Sequence, residues 1–260
     1  MPATLPPSNT FPQFPTHVIC GVAKQFVDLY VPIREVSPQL LWLAFITYFG
    51  NSISRFVRLN IDSSEPRLFG VAVGRSARTK KSTGNNLARN LFREVGGCCQ
   101  HIVEGFGSAE GLLTDLAAHA GTPTLIHLDE INILAQKTSI DGSLGISALH
   151  KLFEDHDYDH TLAKGKGYQV RDAYLSLLGA STLDDFVKTW TGRHADAGFF
   201  SRLFFIGASG TTGVEVALSL LSSILDATSG ASVTLMSHPY CLPSNSVAVS
   251  VAIWYVPHGS

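Results

Sequence analysis

Charged side chains are scarce in this chain of 260 residues, which has 19 Lys and Arg, 21 Asp and Glu and a formal net charge of −2. They make up 15% of the residues, whereas soluble domains usually contain roughly 25%. The near-neutral balance excludes an overall electrostatic drive onto nucleic acid or anionic membranes, although it allows a local basic patch. The length and the hydrophobic fraction of 45% allow one large domain or two small ones.

The chain also lacks a hydrophobic run long enough to cross a membrane. Its longest apolar runs lie near Leu40–Phe49 and Ala217–Leu225, well short of the roughly 20 residues that a spanning helix needs. The N-terminus has no basic segment and carries five prolines by Pro15, which is not the pattern of a signal peptide. We therefore expect no membrane partner.

Cysteine pairs with a metal-binding or redox spacing are missing as well. The four cysteines are Cys20, Cys98, Cys99 and Cys241, and none forms a C-x-x-C pair. Adjacent cysteines are poorly placed for a disulfide or a zinc site. We expect reduced thiols in a cytoplasmic protein, with Cys98 and Cys99 as small buried apolar residues.

The order of residue types predicts three segments before the tail. Residues 1–16 are rich in proline and predict an extended arm. Residues 17–66 hold two helical patterns, Val22–Tyr30 and Gln39–Val57, and predict a small helical N-terminal preface. Residues 67–208 alternate short strands and helices, which predicts an α/β core with a mostly parallel sheet flanked by helices. The predicted strands are 68–73, 102–103, 124–128, 173–178 and 203–206, and the predicted helices are 85–94, 109–120, 146–154 and 183–190.

Basic residues stop at Arg202. Residues 1–202 hold all 19 Lys and Arg and 19 of the 21 acids, so the net charge comes from Glu215 and Asp226. An ordinary segment of the remaining length would carry roughly six basic residues. We therefore expect residues 209–260 to be an atypical tail of uncertain structure that does not carry the site.

The strongest chemical signal is a loop between a predicted strand and a predicted helix, which reads GRSARTKKST. In a phosphate-binding loop of this placement, backbone N–H groups surround the phosphates, a lysine reaches the β- and γ-phosphate oxygens, and a hydroxyl holds Mg²⁺. Lys81 and Ser82 fit the last two roles. The usual pattern has glycine where Lys80 stands, so a basic strand–helix turn explains the loop alone about equally well. The candidate phosphate-binding residues are Gly74, Arg75, Ser76, Ala77, Arg78, Thr79, Lys80, Lys81, Ser82 and Thr83.

A second signal follows 48 residues after Lys81, where the apolar segment Thr124–Leu128 ends in Asp129 and Glu130. This arrangement matches a Walker B strand, in which the first acid orients Mg²⁺ and the second polarises the attacking water. A buried strand followed by an acidic helix cap is the alternative interpretation. The order of the two motifs along the chain favours the Walker B interpretation.

Two further residues are candidates for contact with the nucleotide. Thr182, with Ser181 as second choice, follows a predicted apolar strand, where P-loop ATPases with an additional strand carry a polar sensor. Capping of the next helix by Thr182 is nearly as good an explanation. Arg202 precedes the last predicted strand and could stabilise transition-state charge in cis or across a subunit interface. A structural arginine at a strand edge is the alternative.

The segment His150–His160 is dense in metal-ligand types and offers a competing site. His156 and His160 are four residues apart, so on a helix they would share a face with Asp159 alongside. A polar helix end and loop is the favoured interpretation, because the cluster lacks a distant closing ligand. The following segment Lys164–Gly167 could contact nucleic acid or form a solvated turn.

At these motifs the chain resembles the P-loop ATPase (helicase-like) domain found in primase–polymerase proteins of phages, plasmids and integrated elements. Its segment Gly74–Thr83 is similar to that family's loop G-R-[ST]-A-K-A-R-K-G-T, which also lacks the usual glycine before the lysine. Gly105–Leu113 is similar to the family's G-x-[SG]-S-x-E-G-L segment. The resemblance also includes Val31–Val36 and Gly198–Arg202, and it covers about Phe11–Ile206.

This resemblance implies an additional-strand, RecA/AAA-like P-loop NTPase that binds and hydrolyses ATP with Mg²⁺ in the replication of a mobile element. It makes single-stranded or double-stranded DNA a candidate partner, and a homo-oligomer with Arg202 acting in trans a candidate assembly. The family has Gly-Thr where this chain has Ser82-Thr83, so either hydroxyl could hold the metal. We expect Lys81 and Asp129 at the carboxyl ends of neighbouring strands.

Two other functions stay open. One is a nucleotide-binding module without hydrolysis, which the altered loop and the unusual tail favour. The other is a P-loop kinase that phosphorylates a small acceptor. The pair Asp129-Glu130 argues against the kinase, because a kinase needs no dedicated group to activate water.

Overall fold

A five-stranded parallel sheet forms the centre of the structure. The structure is a computed structural model that describes residues 14–61, 64–74, 80–95, 100–138, 145–161, 167–189, 199–207, 233–241 and 247–255. The helices are α1 (Gly21–Arg34), α2 (Pro38–Ile53), α3 (Lys81–Glu94), α4 (Ala109–Ala118), α5 (Asn132–Thr138), α6 (Gly145–Glu154) and α7 (Leu183–Thr189). The strands are β1 (Phe69–Val73), β2 (His101–Val103), β3 (Pro123–Leu128), β4 (Tyr158–Thr161), β5 (Gly167–Val170), β6 (Tyr174–Ser181), β7 (Leu203–Gly207), β8 (Val233–Cys241) and β9 (Val247–Tyr255).

The strand order in the central sheet is β2-β3-β6-β1-β7, and every neighbouring pair is parallel. All five carboxyl ends therefore lie at one edge. Strand β6 lies between β1 and β3, with Val73 beside Ser181 and Leu128 beside Gly179. The expectation that Lys81 and Asp129 follow neighbouring strands is wrong, because β6 is paired with both β1 and β3.

Helices cover both faces of the sheet. On one face α1, α2 and α3 pack on the strand residues Ala72, Leu125 and Leu178. On the other face, buried side chains of α4, α5, α6 and α7 pack against residues such as Val71 and Ile126. The expected α/β class with a mostly parallel sheet flanked by helices is confirmed. The two preface helices share the core of the sheet, so residue 66 marks no break in packing.

Each predicted strand of the central sheet is present, and the predicted helices lie within a few residues of their expected bounds. Helix α3 begins at Lys81, four residues before the apolar pattern suggested, because its first turn is polar. Two antiparallel pairs lie outside the central sheet, β4 with β5 and β8 with β9. None of the helices among the described residues is long and apolar enough to cross a membrane.

Several predictions fall outside the described residues. They concern the loop positions Arg75, Ser76, Ala77, Arg78 and Thr79, the cysteines Cys98 and Cys99, the arm before residue 14, the lysines of 164–166, and most of the tail. Within the tail, the antiparallel pair β8–β9 is the described part.

Candidate functional site

Lys81 is the first residue of α3 and lies just beyond the carboxyl end of β1. Its ammonium group donates a hydrogen bond of 2.7 Å to the carbonyl oxygen of Gly74, the residue that follows β1. The side chain therefore folds back over the loop that joins the strand to the helix. This places a positive charge beside the N-terminus of a helix, where backbone N–H groups favour anions.

Two carboxylates share the electrostatic environment of Lys81. Burial lowers the pKa of the Lys81 ammonium, and the negative charges of Glu130 and Asp185 oppose that shift. Glu130 follows β3, and adjacent strands lie about 4.8 Å apart, so β1 and β3 are separated by roughly 10 Å across β6. A lysine and a glutamate extending from both sides can reach one small ligand between them.

Asp129 lies at the same edge of the sheet but in a different setting. Its side chain is 64% exposed, and one carboxylate oxygen lies 3.8 Å from Nε2 of His127. His127 is buried, and its Nδ1 is 2.6 Å from the hydroxyl oxygen of Tyr48 on α2. Burial lowers the pKa of His127, and Asp129 opposes the shift. The carboxylate of Asp129 is thus open to solvent and lies near the buried His127, beyond hydrogen-bonding distance.

A buried contact joins the segment that follows β3 to the last residues of β6. The side-chain amide of Asn132 donates to the hydroxyl of Ser181 at 3.1 Å, and the backbone N–H of Ile131 donates to the carbonyl oxygen of Ala180 at 2.8 Å. Gly179 makes this approach possible, because a Cβ there would lie 2.8 Å from the Cβ of Ile131. The backbone carrying Glu130 is therefore held against β6.

Thr182 caps helix α7. Its hydroxyl donates to the carboxylate of Asp185 at 2.6 Å and accepts the backbone N–H of Asp185 at 3.1 Å, which is a capping arrangement. Ser181 is buried and bonded to Asn132. Thr182 therefore caps a helix, which is the alternative that the sequence left open, and Ser181 binds the side chain of Asn132.

Arg202 lies at the opposite end of the sheet. It precedes β7, whose first residue Leu203 is aligned with Phe69 at the amino end of β1. Its guanidinium binds the carboxylate of Glu154 and the hydroxyl of Ser201. A strand of five residues spans roughly 16 Å, so a role for Arg202 in its own chain's site is wrong, and a role in trans stays a prediction.

The neighbouring lysine, Lys80, points away from Lys81's site. Its ammonium donates to the carboxylate of Glu35 at 2.8 Å and to the carbonyl oxygen of Arg34 at 3.1 Å. Its backbone lies in the left-handed region, with φ 47° and ψ 36°. This is the position where the usual phosphate-loop pattern has glycine. Ser82 is half-buried and Thr83 is exposed, so Ser82 is the more buried of the two candidate metal ligands.

The competing cluster around His156 does not assemble as a metal site. His156 precedes β4, where Nε2 is 2.9 Å from the carboxylate of Glu65 and Nδ1 is 3.0 Å from the carbonyl oxygen of Ala173. Asp159 binds Arg171 at 2.6 Å. The segment with His160 is a strand and not a helix, so the assumption of a shared helical face is wrong.

Sequence reasoning missed Asp185, Asn132 and His127, which lie around the candidate site. Asp185 was visible only as part of an acidic helix start, and no local pattern indicates that His127 meets Tyr48. The chain matches no protein-family model and no curated protein.

Proposed function

We propose that this protein is an additional-strand P-loop ATPase, of the RecA/AAA-like kind, that binds ATP and hydrolyses it to ADP and phosphate. One observation carries the proposal. Lys81 and Glu130 follow β1 and β3, these strands flank β6, and the two side chains share one electrostatic environment at the carboxyl edge. Ligands of open parallel sheets bind at this edge.

The residues present fit a magnesium nucleotide. The half-buried hydroxyl of Ser82 and the exposed carboxylate of Asp129 offer the oxygen ligands that Mg²⁺ prefers. These two residues would hold Mg²⁺, which neutralises phosphate charge in ATP hydrolysis. Lys81 and the N–H groups at the start of α3 bind the phosphate oxygens. Glu130 accepts the backbone N–H of Asn132 at 3.4 Å, which orients its carboxylate to position a water molecule.

The contribution of each group follows from where charge develops. Negative charge accumulates on the phosphate oxygens as the terminal bond breaks, and a fixed cation beside a helix N-terminus stabilises that charge. Glu130 holds the attacking water in line and accepts its proton. Arg202 lies at the amino end of its own sheet, where it binds Glu154. It can act in trans only if the ATP site of a neighbouring copy approaches this end of the sheet.

The test is ATP turnover by the purified protein and by three variants. Lys81→Ala removes the phosphate-binding charge and Glu130→Gln removes the base while keeping its shape, so we expect each to lower turnover at least about 100-fold. Lys151→Ala is the matched control, because Lys151 is an exposed lysine of α6 paired with Asp155. It should keep wild-type turnover. Equal ATP turnover in all four proteins would contradict the proposal.

Two measurements separate the alternatives. Tight ATP binding without phosphate release, with or without single-stranded or double-stranded DNA, would indicate a nucleotide-binding module that does not hydrolyse. Transfer of labelled phosphate to a small acceptor would indicate a kinase. An increase in turnover on addition of DNA would support the helicase-like role in the replication of a mobile element.

A further inference from the structure

A second group of metal-ligand side chains lies away from the candidate ATP site. His101 is the first residue of the edge strand β2, Asp115 is on α4, and His119 is the C-terminal cap of α4. One nitrogen or oxygen from each of the three lies within 4.8 Å of the other two. We propose that these three residues form a zinc-binding site that fastens β2 to α4.

The geometry around Asp115 supports the proposal. One carboxylate oxygen lies 2.6 Å from Nε2 of His101, and the other lies 3.5 Å from Nδ1 of His119. Asp115 and His119 are four residues apart, so they share a face of the helix end. A tetrahedral zinc ion with bonds of about 2.0–2.1 Å needs ligand atoms roughly 3.4 Å apart. The three atoms lie within 4.8 Å of one another, so zinc binding requires side-chain rotations that bring them to that spacing.

The two imidazole rings lie face to face. The rings of His101 and His119 are stacked, with centroids 3.6 Å apart and planes inclined by 9°. The lone pair of an imidazole nitrogen lies in the plane of its ring, so two parallel rings do not both point at one ion. Zinc binding by both histidines therefore requires one ring to turn about its side-chain bonds.

The position on the helix favours a cation as well. Nδ1 of His119 also donates a hydrogen bond of 2.8 Å to the carbonyl oxygen of Asp115 in the last turn of α4, where the helix dipole places partial negative charge, so a zinc ion bound at this nitrogen would replace its proton. The three side chains are between 25% and 37% exposed, so an ion can enter and a water molecule can complete the coordination.

The donor set distinguishes this metal from Mg²⁺. Two nitrogens and one carboxylate suit Zn²⁺ and related transition metals, whereas Mg²⁺ prefers oxygen ligands throughout. The site joins the edge of the sheet to a helix, so bound zinc should resist unfolding by holding these elements together.

The experiment is titration of the full chain, stripped of metal with a chelator, by ZnCl₂ alone, followed by calorimetry and by thermal unfolding. Cys98 and Cys99 are replaced by serine in the parent and in each variant, so that their thiols do not compete for zinc, and the chain that retains both cysteines is titrated beside them. We expect one zinc per chain and a rise in melting temperature. Asp115→Asn and His119→Gln should each weaken zinc binding at least about 10-fold and remove the thermal shift.

The exposed His17 provides the matched control, because His17→Gln removes an imidazole outside the cluster and should keep full zinc binding. Asp115→Asn preserves size, so it still tests the site if a histidine variant fails to fold. The proposal is overturned if both triad variants bind zinc as tightly as the parent, or if the parent binds no zinc. It is also overturned if zinc binds only when Cys98 and Cys99 are restored.

Discussion

The two ends of the central sheet treat their charged side chains differently. At the amino end, Arg67 and Arg202 are bound by carboxylates and both hold the end of α6. Arg67 binds Glu65 at 2.8 Å and donates to the carbonyl oxygens of Leu152 and Phe153 at 2.8 and 3.1 Å. Arg202 binds Glu154, the last residue of the same helix.

At the carboxyl end, Lys81, Glu130 and Asp185 share one region. Lys81 donates to a backbone carbonyl oxygen, and Glu130 and Asp185 act on it through their electrostatic fields. Asp129 is open to solvent. The difference agrees with charge that stabilises the fold at the amino end and with the proposed ligand site at the carboxyl end.

The largest effect on stability should therefore come from the amino end. Arg67→Met removes the buried partner of one Glu65 carboxylate oxygen, leaving Arg58 and His156 on the other, and it removes two bonds to α6. Breaking a buried ion pair costs about 3 kcal/mol or more, so we expect the free energy of unfolding in urea to fall by about 3 kcal/mol. ATP binding by the folded fraction should be unchanged, because Arg67 lies at the far end of β1.

Lys24→Met is the control for this measurement. Lys24 forms an exposed pair with Asp28 on α1, and exposed pairs on a helix contribute below about 0.5 kcal/mol. A loss at Arg67 no larger than the loss at Lys24, or a loss of ATP affinity in folded Arg67→Met, would contradict the division between the two ends.

A pH-dependent effect should arise at the carboxyl end. The folded protein holds His127 neutral, since burial lowers its pKa, whereas the unfolded chain protonates it near pH 6.5. The stability that depends on neutral His127 is therefore complete above about pH 6.5 and is lost as the pH falls through the lowered folded pKa. We expect this contribution to lower the free energy of unfolding in urea by roughly 1 kcal/mol between pH 7 and pH 5.

The double variant Tyr48→Phe, His127→Leu removes both partners of the buried contact, so its stability should vary less with pH than that of the wild type. The control His17→Leu changes an exposed histidine and should keep the wild-type pH dependence. Identical pH profiles for the double variant and the wild type would show that His127 is not the group responsible.

The comparison also shows which features local sequence patterns could predict. Periodicity located the five strands of the central sheet, and the strand–loop–helix motif located Lys81, because these signals lie within a few residues of one another. Periodicity did not predict the order of the strands in the sheet. The expectation that the strands before Lys81 and Asp129 are neighbours was wrong. Contacts between distant segments were also missed, including Tyr48 with His127 and His101 with Asp115, because no local repeat encodes them.

The smallest effect concerns the loop residue that departs from the usual motif. Lys80 has a left-handed backbone with φ 47°, and a residue with a Cβ pays about 1 kcal/mol there relative to glycine. Lys80→Gly and Lys80→Ala both remove the exposed contact with Glu35, so their difference isolates the backbone. We expect the glycine variant to be about 1 kcal/mol more stable than the alanine variant in urea unfolding and to retain ATP turnover. An alanine variant as stable as the glycine variant would show that the left-handed turn imposes no strain, and the glycine of the usual motif would then have another purpose.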